Sequence, residues 1–206
     1  MRSDGTTIHG TPPRRGSGSS AGRRGGFTLI ELVMVLVIVG IMSAFALPRI
    51  DSRRATADAA ARLVRGTLEV AQRTAVARQY DVIVSFDAGG GGLRVVEDRN
   101  NNGAIDTNER RYRVALEGGA RFVEAPSAIP GAPAGGGPVV VERTRTVGGL
   151  PSVIFRRNGA SSSAVALYLA GPAGREGHLR GVTVEQATGR AESFRLLDGT
   201  WKSTGP

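Results

Sequence analysis

The sequence predicts an α+β chain, a long amino-terminal helix packed on antiparallel β-structure, and three observations predict it. Phe27 to Leu47 is a run of 21 residues whose only formal charge is Glu31. From Ser52 to Gln79, apolar residues recur at Ala60, Val64, Leu68, Ala71 and Ala75, the spacing of three and four that marks one face of a helix. After Tyr80 the pattern changes to short β-type runs separated by turn-forming residues.

Taken in order, residues 1–26 lead into the apolar run, with a Gly/Ser-rich stretch from Gly16 to Gly22 that should be disordered. Residues 27–47 suffice, at about 1.5 Å per residue, to cross a hydrocarbon core of roughly 30 Å. A carboxylate such as Glu31 costs on the order of 2.5 to 3.5 kcal/mol at mid-bilayer and less near an interface, so it is expected to have a partner. Arg14, Arg15, Arg23 and Arg24 precede the span and keep its amino terminus cytoplasmic, so that the domain beyond the span is exported. Arg49, Arg53 and Arg54 argue weakly the other way. Residues 48–79 continue the helix with an amphipathic half. A bend is expected near Pro48, because proline lacks a backbone donor and clashes one turn back.

Residues 80–206 form the β domain. The expected strands are Asp81 to Phe86, Leu93 to Glu97, Arg110 to Leu116, Arg121 to Glu124, Val139 to Glu142, Ser152 to Phe155, Ala164 to Leu169, Leu179 to Gln186 and Arg190 to Leu196. Asn158-Gly159 and Thr188-Gly189 read as tight hairpin turns, and the Gly/Pro-rich stretches Ala88 to Gly92 and Ser127 to Pro138 as surface loops.

Composition narrows the functions. The 206 residues contain no cysteine, which excludes disulfides, thiolate metal sites and a cysteine nucleophile. Net charge is +9, but residues 1–26 hold five of the arginines and one aspartate, leaving 22 basic and 17 acidic residues beyond them. Lys202 is the only lysine, and the excess of Arg, Ala and Gly resembles genome base composition more than a nucleic-acid surface. An enzyme is not expected. His178 is the only histidine beyond residue 26, in a Gly-Arg-Glu-Gly loop, and Ser161 to Ser163 lack the strand-to-helix turn of a nucleophile elbow.

Gly26-Phe27-Thr28-Leu29-Ile30-Glu31, opening an apolar span behind Arg23 and Arg24, resembles the processing site of type IV pilins and type II secretion pseudopilins. The resemblance implies that residues 1–26 are a leader, with cleavage after Gly26 by a membrane prepilin peptidase and methylation of the new amino terminus on Phe27. It also implies pairing of Glu31 with the terminal amine of a neighbouring subunit, which supplies the missing partner. Pro48 sits where these proteins usually place one. Val153-Ile154-Phe155 with Gly159, Ala164 to Leu169, and Val182-Thr183-Val184 with Thr188-Gly189-Arg190 resemble the carboxy-terminal domain of H-type pseudopilins and the related FimT and FimU minor pilins. This second resemblance implies a pilin-like fold and a minor pseudopilin, a structural subunit of the type II secretion pseudopilus. Its partners would be other pseudopilins, the peptidase and the inner membrane, with the β domain in the periplasm. The alternative is a FimT-like minor type IV pilin, acting in pilus assembly or contacting DNA through Arg110, Arg111, Arg113, Arg156 and Arg157. Against DNA stand six acidic residues between Glu97 and Glu124.

Two plainer readings of the span are a secretory signal peptide cut at Ala44-Phe45-Ala46 and an unprocessed single-pass anchor. The apolar core exceeds the roughly 7 to 15 residues of a signal peptide, and neither reading uses Glu31.

Asp98 to Glu109 places oxygen side chains at positions 1, 3, 5, 9 and 12 of a twelve-residue loop, with glycine at position 6. This matches the calcium-loop pattern. Asp98, Asn100, Asn102, Asp106 and Glu109 would coordinate through side chains and Ala104 through its carbonyl, with Gly103 making the sharp turn. The competing reading is a polar hairpin loop. No cofactor is required, and calcium is the one the spacing suggests.

Overall fold

A computed structural model describes residues 26–143, 145–172 and 178–205, with residues 44–53 described by backbone alone. The leader, apart from Gly26, and the side chains around the expected bend at Pro48 lie outside the described residues, as do the side chains of Ala44-Phe45-Ala46. The chain divides into two compact units, Met1–Ser43 and Ala44–Pro206. Helix α1, Leu29–Arg78, begins in the first and ends in the second.

In the first unit every side chain from Gly26 to Ser43 is exposed. The apolar ones face outward all round, from Phe27 and Leu29 through Ile41 and Met42. Among the described residues no helix is long and apolar enough to cross a membrane. The expected span runs on to Leu47, past the last described side chain of that stretch.

In the second unit α1 ends where Gln79 takes a left-handed conformation, φ 59°, and its N–H donates to the Ala75 carbonyl at 3.0 Å. Strands then alternate with turns. They are β1 (Asp81–Asp87), β2 (Gly92–Asp98), β3 (Arg111–Ala115), β4 (Arg121–Phe122), β5 (Val139–Val141), β6 (Arg145–Val147), β7 (Leu150–Phe155), β8 (Val165–Ala170), β9 (Leu179–Val184), β10 (Ala191–Leu197) and β11 (Thr200–Ser203). Among the described residues they make two antiparallel sheets, ordered β3-β2-β1-β7-β6 and β11-β10-β9-β8-β4, with β5 also on β8. The expected helix and all nine expected strands are present, and β6 and β11 are additional.

The predicted helix face is the buried one. Ala61, Val64, Leu68, Ala71 and Ala75 share one core with Val82, Val84, Phe86, Val153 and Phe155 of the first sheet and Val165, Leu167, Leu169, Val182 and Val184 of the second. Alternation along each strand sends the intervening residues to the outer faces. On the first sheet Ile83, Val96, Val147 and Ile154 collect there, with Ile105 packed against them. On the second, Ala166, Tyr168, Leu179, Leu196 and Trp201 gather around Ile129.

Ser127 to Pro138 is the expected surface loop, but one residue in it, Ile129, is an anchor. Its side chain is fully buried, its N–H donates to the Tyr168 hydroxyl at 3.3 Å, and Trp201 Nε1 donates to the Ser127 carbonyl at 3.0 Å. The segment is a strap over the outer face of the second sheet. Asn158-Gly159 forms the expected tight turn, with the Arg156 N–H donating to the Ala160 carbonyl at 2.8 Å and Phe155 bridging antiparallel to Ser161, and the chain beyond it enters β8 of the other sheet.

Candidate functional site

Two sites expected from sequence fall within the described residues. At the amino-terminal one, Thr28 is the helix cap. Its hydroxyl oxygen accepts the Glu31 N–H at 3.3 Å, and its carbonyl accepts the Leu32 N–H at 3.1 Å. Glu31 thus lies in the first turn, where its charge complements the positive end of the helix dipole. The Thr-x-x-Glu spacing that places it there is also that of a capping box. Phe27 is 81% exposed, and a Cβ added at Gly26 would meet no atom within 4 Å. Packing among the described residues therefore does not account for glycine at 26.

The second site, Asp98 to Glu109, is the connection of the β2–β3 hairpin. Asp98 is fully buried at the end of β2, and its two carboxylate oxygens accept the N–H groups of Asn102 at 3.1 Å and Gly103 at 2.6 Å. Gly103 has φ 72°, the left-handed turn expected of it. Asn100 and Asn102 each donate a side-chain N–H to Asp106 Oδ2 at 2.8 Å. The Glu109 carboxylate accepts the N–H groups of Arg99 at 3.2 Å and Asp106 at 3.0 Å.

The loop is moored to the first sheet by Ile105 and by the Asp81 N–H, which donates to Asn101 Oδ1 at 2.7 Å. Arg145 adds a bond to the Gly103 carbonyl at 3.1 Å. Among the described residues no group of three or more His, Cys, Asp or Glu is gathered to hold a metal ion. In this conformation the loop's own N–H groups satisfy its carboxylates. A cation would have to rotate the Asn100 and Asn102 amides so that their oxygens replace the nitrogens.

The five arginines considered for DNA contact are divided. Arg110, Arg111 and Arg113 lie on or beside edge strand β3, while Arg156 and Arg157 follow β7, with β2 and β1 between. Arg110 reaches Glu97 at 3.7 Å, Arg113 reaches Asp87 at 3.7 Å, and Arg156 reaches Asp81 at 3.8 Å. Three of the five are thus partly neutralised, and the positions do not form one continuous stripe.

Comparison with known proteins bears on both units. Residues 60–188, most of α1 after the first unit and the body of both sheets, match the family model described as type II transport protein GspH. The chain belongs to this GspH family. Residues 22–47 match the prokaryotic N-terminal methylation motif, which covers Gly26, Phe27 and Glu31. Over 87 residues the chain is 36% identical to the pilin-like protein PilA1 of Thermus thermophilus, covering 42% of this chain and 56% of that protein. It therefore spans little more than half the length of that curated relative. The solved structure of the minor pseudopilin EpsH from the Type 2 Secretion System of Vibrio cholerae aligns with a TM-score of 0.46 at 13% identity, over 68% of this chain and 96% of that one. The GspH-family fold here carries a further constellation that no sequence pattern signalled: Asp58, Arg62 and Arg65 of α1 beside Arg180 of β9 and Arg195 of β10.

Proposed function

We infer that this GspH-family chain is a minor pseudopilin, a structural subunit of the type II secretion pseudopilus. The observation that carries this reading is the join of two features. A helix start bearing the methylation motif exposes apolar side chains all round, and a β domain of the GspH family follows it on the same chain. A helix apolar on every side needs lipid or other helices around it. Before assembly the span sits in the inner membrane, single-pass, with the amino terminus cytoplasmic and the β domain periplasmic. Prepilin peptidase cuts between Gly26 and Phe27 and methylates Phe27, and Glu31 then pairs with the terminal amine of the next subunit. The neighbours are other pseudopilins in a helical fibre, and no catalytic step is assigned to the chain.

Crosslinking in the native membrane tests the assembly step. Glu31→Gln keeps the size of the side chain and removes its charge. The variant should be processed and retained in the membrane while losing crosslinks to other pseudopilins. Wild-type crosslinking by Glu31→Gln would remove the role given to the carboxylate.

A further inference from the structure

Among the described residues, the arginines of one cleft stand out because fixed backbone geometry brings like charges together. Arg180 and Arg195 are direct cross-strand partners in the β9–β10 ladder. Like charges at such positions repel, so their juxtaposition calls for an anion. Asp58 supplies one. Its Oδ1 accepts from Arg180 Nε at 2.5 Å and lies 3.8 Å from Arg195. Arg180 is only 3% exposed and forms the floor of the cleft, donating also to its neighbour, the Leu179 carbonyl, at 2.9 Å.

One carboxylate is too few for the cations around it. Arg62 and Arg65, one and two turns along α1 from Asp58, line the same cleft of about 240 Å³ together with Ser193 and Thr204. Arg65 is taken by Glu69 at 2.7 Å and by the Gly205 carbonyl at 3.1 Å. Arg195 has its Nε buried without a hydrogen-bond partner. The charges of Arg180, Arg195 and Arg62 all favour the ionised Asp58 carboxylate. Four guanidiniums thus line a space larger than a bare ion needs, and Asp58 is the one carboxylate among its lining residues.

We propose that this cleft binds an oxyanion of the phosphate class, held by Arg62 and Arg195 over the Arg180–Asp58 pair. Donors reach the space from α1 on one side and β10 on the other. A tetrahedral phosphate accepts from several directions at once, whereas a planar carboxylate suits a single guanidinium fork. The same chemistry is offered by free phosphate and by a phospholipid headgroup.

The test is calorimetric titration of the full chain in non-ionic detergent with inorganic phosphate at constant ionic strength, repeated with acetate and chloride. Saturable binding of one phosphate per chain is expected, at least tenfold weaker in Arg62→Gln/Arg195→Gln. Those side chains are exposed or half-exposed, so circular dichroism of the double variant should match wild type. A single Arg62→Gln variant, on the helix surface, gives the same comparison if the double variant loses its fold. Mixed micelles carrying phosphatidylglycerol then separate the sources. Tighter binding than inorganic phosphate identifies a headgroup, and equal binding identifies the free ion. No saturable binding, equal binding of acetate or chloride, or unchanged affinity in a folded variant would overturn the site.

Discussion

Gln72, near the middle of the folded half of α1, donates its side-chain N–H to the carbonyl oxygens of both Gly159, at 2.9 Å, and Thr188, at 2.5 Å. One helix side chain thereby ties together the turn that carries β7 toward β8 and the turn that joins β9 to β10. The two turns touch so closely that a Cβ at Gly189, whose φ is 65°, would fall on the Gly159 carbonyl oxygen and the Gln72 amide. Glycine at 189 serves contact as well as conformation.

Gln72→Ala should therefore lower stability by about 1 to 2 kcal/mol, because two carbonyls lose a donor in a partly buried site. Gly189→Ala should cost at least as much, since the left-handed conformation alone costs roughly 1 to 2 kcal/mol for a residue with a side chain. Urea denaturation of the full chain in detergent, followed by near-ultraviolet circular dichroism, measures both.

The Asp58–Arg180 pair predicts a dependence on acid. Burial alone would raise the Asp58 carboxyl. The hydrogen bond from Arg180 and the charges of Arg180, Arg195 and Arg62 outweigh it and hold the group below its ordinary value of 3.8. A depressed carboxyl contributes stability that is full above its unfolded value and is lost as pH falls through the lower folded value. Thermal midpoints should thus decline below about pH 4, where model aspartate titrates near 3.9. Asp58→Asn should flatten that acid decline and destabilise the protein at neutral pH by about 2 kcal/mol, leaving buried Arg180 without its charged partner.

Ile129 should be the anchor of the strap it belongs to. Truncation to alanine removes a fully buried side chain from the cluster around Tyr168 and Trp201. The expected cost is about 2 to 5 kcal/mol, toward the lower end if the strap collapses onto the gap. Hydrogen exchange should show the Ile129 amide, bonded to the Tyr168 hydroxyl, losing protection first.

For the Asp98–Glu109 loop, calcium must displace the bonds from Asn100 and Asn102 to Asp106 before it can coordinate. Binding is expected in the weak range, on the order of 10⁻⁴ to 10⁻³ M. Millimolar calcium should raise the thermal midpoint of the full chain while magnesium does not, and Glu109→Gln should abolish the rise. An unchanged midpoint would leave the loop as a self-satisfied hairpin connection.

Much of this was legible in the sequence because period and turn chemistry are local. Helical spacing named Ala60, Val64, Leu68, Ala71 and Ala75, and all five are buried. The missed strands β6 and β11 adjoin two-residue turns, Gly148-Gly149 with φ 59° and 78° and Asp198-Gly199 with φ 49° and 72°. Both dipeptides are hairpin signals. They were obscured because Arg145-Thr146-Val147 and Thr200-Trp201-Lys202-Ser203 are short, mostly exposed edge strands.

Asn158-Gly159 shows a different boundary, since a turn fixes how the chain reverses and not which sheet receives it. A lone Ile129 among prolines and glycines gave no periodicity to reveal its burial. The arginine cleft was out of reach because of distance: Asp58 and Arg180 are 122 residues apart, and only the packing of α1 on the second sheet joins them. The amino-terminal site, by contrast, lies in six consecutive residues.

That site carries the central claim, and intact mass with amino-terminal sequencing of the protein from its native membrane tests it most directly. The account predicts a chain that begins at Phe27 and carries one added methyl group. A chain that begins at Leu47, or one that retains Met1, would contradict it.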